Sequence, residues 1–138
     1  MGVPLTPEVQ DFLRQKVFAH LSTLMKDGSP QVTPVWVSTD GKDILINTAA
    51  GRLKARNMQR DGRVALSIMG LESPNRTVFI RGLVKEITET GANDHINQLS
   101  AKYTGRAQYN FRDEERRLRV VIEPLHVSAR GLAPDTRP

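Results

Sequence analysis

The segment Val17–Thr48, VFAHLSTLMKDGSPQVTPVWVSTDGKDILINT, contains the residues that decide the fold class. Asp27-Gly28 and Asp40-Gly41 separate three short runs that are rich in β-branched and apolar residues. Asp-Gly pairs favour tight hairpin turns, because glycine accepts the positive φ that these turns require. Pro34 cannot donate to a strand ladder, so it marks an edge, a bulge or a strand end within the middle run. The segment predicts an antiparallel meander of three strands.

The rest of the chain continues this pattern. Alternating apolar residues predict further strands over 64–69, 77–89 and 117–127, the second of them turned or bulged near Gly82. Thr6-Pro7-Glu8 has the residue types of a helix start, so we expect a short helix over about residues 6–16. Two more helices are predicted over 52–60 and 91–103, the first a polar surface element. Six strands with two or three helices indicate a mainly β protein, built as a small barrel or a strongly curved sheet.

Length and composition limit the organisation of the chain. With 138 residues, it is predicted to form a single domain spanning 1–138, with a polar tail over 133–138. There are no cysteines, no signal-peptide pattern and no apolar run near the roughly 18 residues of a membrane span, so we expect a cytoplasmic protein without membrane contact. A domain of this size cannot enclose a large cofactor. A bulky ligand is therefore expected in a surface groove, such as one completed by a second subunit.

The excess positive charge is local. The chain has a formal net charge of +5, and the segment 52–63 alone carries five basic residues and one acidic residue, a net +4. A compact anion site fits this distribution better than a long nucleic-acid-binding surface, and the chain has few aromatic residues for base stacking. We therefore expect no nucleic-acid partner.

Gly51–Asn57, GRLKARN, is the most informative stretch for function. A helix that begins here offers free backbone N–H groups and a positive dipole end, which together suit a phosphate. Arg52 and Lys54 lie at that end, and Thr48 can add a hydroxyl group. By spacing alone, a solvated basic surface explains the same residues equally well.

Catalytic patterns are scarce. His20, His95 and His126 fall on separate elements without metal-ligand spacing, and no nucleophile elbow or phosphate-binding glycine loop is present. We therefore predict no metal site and no catalytic side chain. Trp36 is interpreted either as a core residue, which the pattern favours, or as the wall of a site for a planar ligand. A bound redox cofactor, which brings its own reactive atom, is consistent with this scarcity.

Three stretches resemble a known group of proteins. They are 21–37, 46–66 and the pair 102–106 with 119–124, and the second is the most specific. Together they are similar to the flavin- and deazaflavin-dependent enzymes of the pyridoxamine 5′-phosphate oxidase-like split-barrel superfamily. The likeness is greatest to the branch that uses coenzyme F420, an 8-hydroxy-5-deazaflavin with a phospholactyl-oligoglutamate tail.

The resemblance implies a six-stranded antiparallel split β-barrel of Greek-key type, forming a homodimer with a cofactor groove between subunits. It further implies an F420-dependent reductase that transfers hydride to an unsaturated small molecule. Arg52, Lys54 and Asn57 match the positions that hold the phosphate or tail. The full set of implied cofactor-binding residues is Thr33, Pro34, Val35, Trp36, Asn47, Thr48, Ala49, Ala50, Gly51, Arg52, Lys54, Arg56 and Asn57.

Two alternatives remain open within the resemblance. FMN also presents a phosphate, so an FMN-dependent oxidoreductase of the pyridoxamine-phosphate-oxidase type satisfies the same pattern. A non-catalytic protein that binds F420, a flavin or haem is the other alternative. The GRLKARN run favours F420, and Arg56 and Arg60 are placed to accompany an oligoglutamate tail.

Overall fold

The structure, a computed structural model, describes residues 2–132; the polar tail predicted over 133–138 lies outside them. Within this range the chain forms seven strands and three helices. In chain order these are α1 (Pro7–Arg14), β1 (Phe18–Leu24), β2 (Pro30–Val35), β3 (Val37–Thr39), β4 (Ile44–Ala49), α2 (Leu53–Arg60), β5 (Arg63–Met69), β6 (Thr77–Thr88), α3 (Ala92–Thr104) and β7 (Arg117–Arg130). None of the helices within residues 2–132 has the length and apolar character that a membrane span requires.

All seven strands belong to one antiparallel sheet with the order β2-β1-β5-β6-β7-β4-β3. Strand β4 lies beside β7, the strand that comes three later in the chain, which is a Greek-key connection. The strongly curled sheet surrounds a core to which both β4 and β7 contribute alternate residues. Ile44 lies opposite Ile122 and Ile46 opposite Val120, and all four side chains are buried. This arrangement confirms the mainly β split barrel.

The seventh strand arises from a division at Trp36. The middle run, between Asp27-Gly28 and Asp40-Gly41, was expected to form one strand, whereas β2 pairs with β1 and β3 pairs with β4. The backbone N–H of Val37 donates to the Tyr103 hydroxyl, 3.3 Å away, instead of to a neighbouring strand. β2 and β3 are the two edges of the sheet, and Trp36 alone separates them in the chain. The barrel therefore closes through Trp36.

Helix α1 begins where the sequence predicts. The Thr6 hydroxyl accepts a hydrogen bond of 3.2 Å from the N–H of Val9, and Pro7 occupies the first turn. The helix ends at Arg14, two residues before the predicted end. Its buried residues Val9, Phe12 and Leu13 pack on the barrel core.

The long strands β6 and β7 are irregular at Gly82, as predicted. The pairing register shifts between Arg81 and Gly82, so Leu125 on β7 is an extra residue without a partner on β6. A side chain at Gly82 would place Cβ only 2.7 Å from the carbonyl oxygen of Glu123. Glycine is required here because the two backbones approach closely.

The other two helices pack against different parts of the barrel, and Met58 of α2 belongs to the barrel core. Helix α2 is more buried than predicted for a polar surface helix, because Ala55, Asn57 and Met58 all face inward. Helix α3 packs on the outer face of β7 and β4 through Ile96 and Leu99. Because α3 packs on this face, the end of β4, the start of β7 and the end of α3 lie close together, beside the start of α2.

Candidate functional site

A groove of about 660 Å³ lies where the β2–β3 junction, the start of α2 and the end of α3 meet. Its size is typical of small-molecule sites. One wall is aromatic and the other is basic. Among its described lining residues none is acidic.

Trp36 and Tyr103 form the aromatic wall. Their rings stack with centroids 5.4 Å apart and planes inclined by 4°. The ring of Tyr109 meets Trp36 edge-on at 6.4 Å. The Tyr103 hydroxyl donates to the carbonyl oxygen of Val17 at 3.0 Å and accepts from Val37, so its ring position is fixed by the backbone of two strand ends. Trp36 is therefore a half-buried wall residue of the groove, held in place on one face.

The basic wall contains Arg52, Lys54 and Arg117, and Lys16 also lines the groove. Lys54 is half-buried, and among residues 2–132 it has neither a hydrogen-bond partner nor an ion pair. Burial lowers the pKa of Lys54 below its ordinary value, and the positive charges of Arg52 and Arg117 lower it further. The three cations are thus close enough to repel one another, which favours an anionic ligand.

Arg117 was not identified from the sequence. Its side chain is buried, and Nη1 donates to Glu115 Oε1 at 2.7 Å. Nε donates to Asn47 Oδ1 at 2.8 Å, and the guanidinium lies 5.0 Å from the centre of the Tyr109 ring. In the sequence Arg117 belongs to a run with Arg116 and Arg119, and nothing in that run distinguishes the one residue that reaches the groove.

The Asn47 amide connects Arg117 to His95. Asn47 Nδ2 donates to the carbonyl oxygen of Ala92 at 2.9 Å and lies 3.2 Å from His95 Nδ1, while His95 Nε2 lies 2.9 Å from Ser38 Oγ. Because Nδ2 can only donate, Nδ1 accepts, and the proton of the neutral ring is on Nε2. Burial lowers the pKa of His95 to about 4, with further lowering from the charges of Arg119, Arg117 and Lys102. His95 is therefore neutral near pH 7.

Six of the predicted cofactor-binding residues line the groove. They are Pro34, Val35, Trp36, Asn47, Arg52 and Lys54. Arg52 also borders a separate depression of about 600 Å³, which is lined by Ala49, Ala50, Gly51 and residues 112–116. Arg52 thus lies between the two cavities.

The structure places the other four outside the groove. Thr48 is buried with its hydroxyl unpaired, and it alternates with Asn47 so that it lies on the interior face with Ile46. Thr33 lies in edge strand β2, Arg56 is exposed on α2, and Asn57 is buried under α2. Cofactor contact stays a prediction for these four residues, as it does for the other nine.

A second groove of about 810 Å³ lies on the outer face of the sheet and is largely apolar. Phe79 and Val32 line it and are exposed, as is the neighbouring Phe18 of the first groove. His20 lines both grooves. The two grooves are therefore adjacent. Among residues 2–132 no cluster of three or more histidine and carboxylate side chains is arranged to hold a metal ion.

The curled sheet and its flanking groove define a split-barrel protein, and the sequence profile of pyridoxamine 5′-phosphate oxidase matches residues 5–130. The chain belongs to this family. Among curated protein sequences none is significantly similar to the chain.

Three solved structures illustrate the similarity. An F420 reductase shares 29% identity, with a TM-score of 0.79 over 91% of this chain and 98% of that chain. The conserved protein Rv2991 of Mycobacterium tuberculosis shares 25% identity, with a TM-score of 0.72 over 99% of this chain and 91% of that chain. HutZ, a heme storage protein of Vibrio cholerae, has the same fold at 14% identity, with a TM-score of 0.66 over 95% of this chain and 98% of that chain.

Proposed function

We propose that the protein is an F420-dependent reductase that transfers hydride between the deazaflavin and an unsaturated small molecule. The observation that carries this proposal is the composition of the groove, which combines a stacked aromatic wall with a cluster of three cations and has no acidic residue among its described lining. A planar ring system joined to a phosphate is complementary to both walls.

The residues of the chain bind and orient the cofactor. Arg52 and Lys54 bind the phosphate together with the free N–H groups at the start of α2, where no side chain caps the helix. The strand junction at Val35 and Trp36 supports the ring. When bound, the deazaflavin supplies the hydride from its C5 atom, so no side chain of the protein has to act as an acid, base or nucleophile.

The charges that line the groove support an anion as the ligand. Lys54 loses basicity through burial and through repulsion by Arg52 and Arg117. A phosphate bound between these groups offsets the repulsion and raises the pKa of Lys54 again. Binding is therefore favoured by the whole cluster and not by one ion pair.

F420 is preferred to FMN for two reasons. An F420 reductase is 29% identical over nearly its whole length, and the start of α2 continues into exposed basic residues, Arg56 and Arg60, that suit a polyanionic tail. FMN is the second candidate because it satisfies the same ring and phosphate sites and because the family is that of pyridoxamine 5′-phosphate oxidase.

We further propose that the protein works as a homodimer whose interface covers the second groove. Phe79 is 44% exposed and Val32 is 60% exposed, and both line one largely apolar groove, as is typical of a surface that a partner covers. His20 connects this surface to the first groove, so a partner placed there also closes the cofactor site. Light scattering coupled to size exclusion tests this assembly, and a monomer at micromolar concentration contradicts it.

Titration of the purified protein with F420 and with FMN, followed by fluorescence at moderate salt, tests the cofactor. Micromolar or tighter binding of F420 with weaker binding of FMN is expected. Reduced F420 is then offered to a panel of unsaturated compounds. Preference for FMN transfers the protein to the flavin-dependent branch, and tight F420 binding without turnover of any compound favours a carrier protein.

A further inference from the structure

Arg117 has the features of a binding residue that was built into the groove. It is 5% exposed, yet it lines the groove next to Lys54. Two of its nitrogen atoms, Nε and Nη1, are held by Asn47 and Glu115. The third, Nη2, has no hydrogen-bond partner among residues 2–132. A guanidinium held at two points presents its remaining N–H groups in a fixed geometry.

We propose that Arg117 is a third anion-binding residue of the groove, and that Asn47 and His95 are positioning residues that hold its guanidinium. This inference rests on the proposed cofactor site and assigns a further contact to the phosphate. In it, Asn47 acts through Arg117 instead of touching the cofactor.

The charges agree with a phosphate ligand. Arg52, Lys54 and Arg117 contribute three positive charges, and Glu115 contributes one negative charge behind Arg117. Burial opposes ionisation of Glu115, but hydrogen bonds from the Arg112 N–H and from Arg117 hold its pKa below the ordinary value, so the carboxylate stays charged. The remaining +2 is sufficient to neutralise the single negative charge of the phosphodiester in F420, or the roughly two negative charges of the phosphomonoester in FMN.

Only one orientation of the Asn47 amide satisfies the donors and acceptors around it. Arg117 Nε only donates, so the Asn47 oxygen must face it, and the Asn47 amide nitrogen must then face Ala92 and His95. His95 accepts this bond only while it is neutral. His95 on α3 therefore fixes the amide of β4, and that amide fixes the guanidinium of β7.

The test compares F420 with the same deazaflavin lacking the phospholactyl tail. Arg117→Gln is expected to weaken F420 binding by roughly 10- to 100-fold, the loss of a charge-assisted contact, while the tail-free compound changes by less than about twofold. Arg130→Gln is the control, because Arg130 is exposed at the end of the same strand and lines neither groove. It is expected to leave both affinities unchanged.

The positioning residues are tested by a pair of variants at His95. His95→Leu removes the acceptor for Asn47 and is expected to weaken F420 binding about three- to tenfold. His95→Gln supplies both an acceptor and a donor, so it is expected to restore wild-type affinity. Asn47→Ala keeps the Arg117–Glu115 pair and replaces Arg117→Gln in the test if that variant does not fold. It is expected to weaken F420 binding and to leave the affinity for the tail-free compound unchanged.

Equal loss of both ligands, or no loss of either, overturns the assignment of Arg117, whereas failure of the wild type to bind F420 or FMN overturns the proposed function instead. In that second case, pyrophosphate at millimolar concentration is used to test whether the groove binds an anion through Arg117. A rise in the melting temperature of the wild type that Arg117→Gln abolishes supports the site, and no rise in the wild type overturns it.

Discussion

Asn57 on α2 donates a hydrogen bond of 3.1 Å to the hydroxyl of Thr23 on β1, and both side chains are about 1% exposed. The Asn57 oxygen accepts from Arg60, whose guanidinium also donates to the carbonyl oxygen of Leu24. The amide is thus occupied in joining the helix that carries Lys54 to the barrel. Its contribution to the site is to fix the position of α2.

Replacing Asn57 by Ala is expected to lower the free energy of unfolding by about 1–3 kcal/mol, because the buried Thr23 hydroxyl loses the bond it accepts and keeps only the one it donates to Gln31. Urea denaturation measures this change. Gln59→Ala removes an exposed amide from the same helix and is expected to change stability by less than about 0.5 kcal/mol. An Asn57→Ala protein of wild-type stability with greatly weakened F420 binding contradicts the structural role.

Reversing the charge of Lys54 is expected to weaken F420 binding by at least about 100-fold, because Lys54→Glu replaces an attraction with a repulsion at a half-buried position. Lys42→Glu makes the same change in net charge in the exposed β3–β4 turn, outside the groove. Fluorescence titration of both variants separates a local contact from an effect of total charge. Equal affinity in the two variants removes Lys54 from the site.

Two substitutions at Tyr103 separate its hydroxyl from its ring. Tyr103→Phe retains the stack on Trp36 but leaves the N–H of Val37 and the carbonyl oxygen of Val17 without that partner. A loss of about 1–2 kcal/mol in stability with little change in F420 affinity is expected. Tyr103→Ala is expected to lower both, since the wall of the groove then moves. Urea melts and F420 titrations of both variants check this prediction. A loss of F420 affinity in Tyr103→Phe as large as that in Tyr103→Ala contradicts it.

Stability is expected to fall as the pH decreases through the range from 6.5 to about 4. His95 has a pKa of about 4 in the folded protein against 6.5 for an ordinary histidine, so the unfolded chain binds an additional proton in this range. The groups that face His95 are Arg117 and Arg119 on β7 and Lys102 on α3.

Between pH 7 and pH 4.5, His95 is expected to lower the free energy of unfolding by roughly 2–3 kcal/mol. His95→Gln removes this contribution, so the wild type is expected to lose more stability than the variant between the two pH values. Urea melts of the two proteins give the difference directly. Parallel loss in both would place the titration elsewhere.

Gly82→Ala is expected to destabilise the protein by about 2 kcal/mol or more, because its Cβ would meet a carbonyl oxygen and a methyl carbon, each at 2.7 Å. Gly28→Ala is the comparison, since φ is +87° there and nothing lies within 4 Å of the new Cβ. That substitution is expected to cost about 1 kcal/mol from backbone conformation alone. Thermal melts rank the two, and the reverse order contradicts the close approach at Gly82.

Local features of the chain were predictable from the sequence. The turns at Asp27-Gly28 and Asp40-Gly41 have φ values of +87° and +95° at glycine, as the Asp-Gly signal requires. The start of α1 and the bulge at Gly82 also follow from neighbouring residues. Each of these features depends on contacts within a few positions of the chain or on one residue type that tolerates no substitute.

Features that depend on distant partners were not predictable. Trp36 interrupts its strand because a tyrosine 67 positions later stacks on it and bonds to its neighbour. Asn57 turns inward because Thr23 lies 34 residues away in the chain. Arg117 enters the groove because Asn47, 70 residues earlier, holds it there. No local pattern distinguishes these residues from exposed ones of the same type.

The closure of the barrel through Trp36 has a dynamic consequence. β2 and β3 leave this residue in opposite directions and pair with different partners, β1 and β4. Local opening at Trp36 is therefore expected to expose amides of both edge strands together, and a ligand that packs on the indole is expected to slow hydrogen exchange in β2 and in β3 alike. Hydrogen exchange in the two edge strands would then report ligand binding in the groove and local opening of the sheet together.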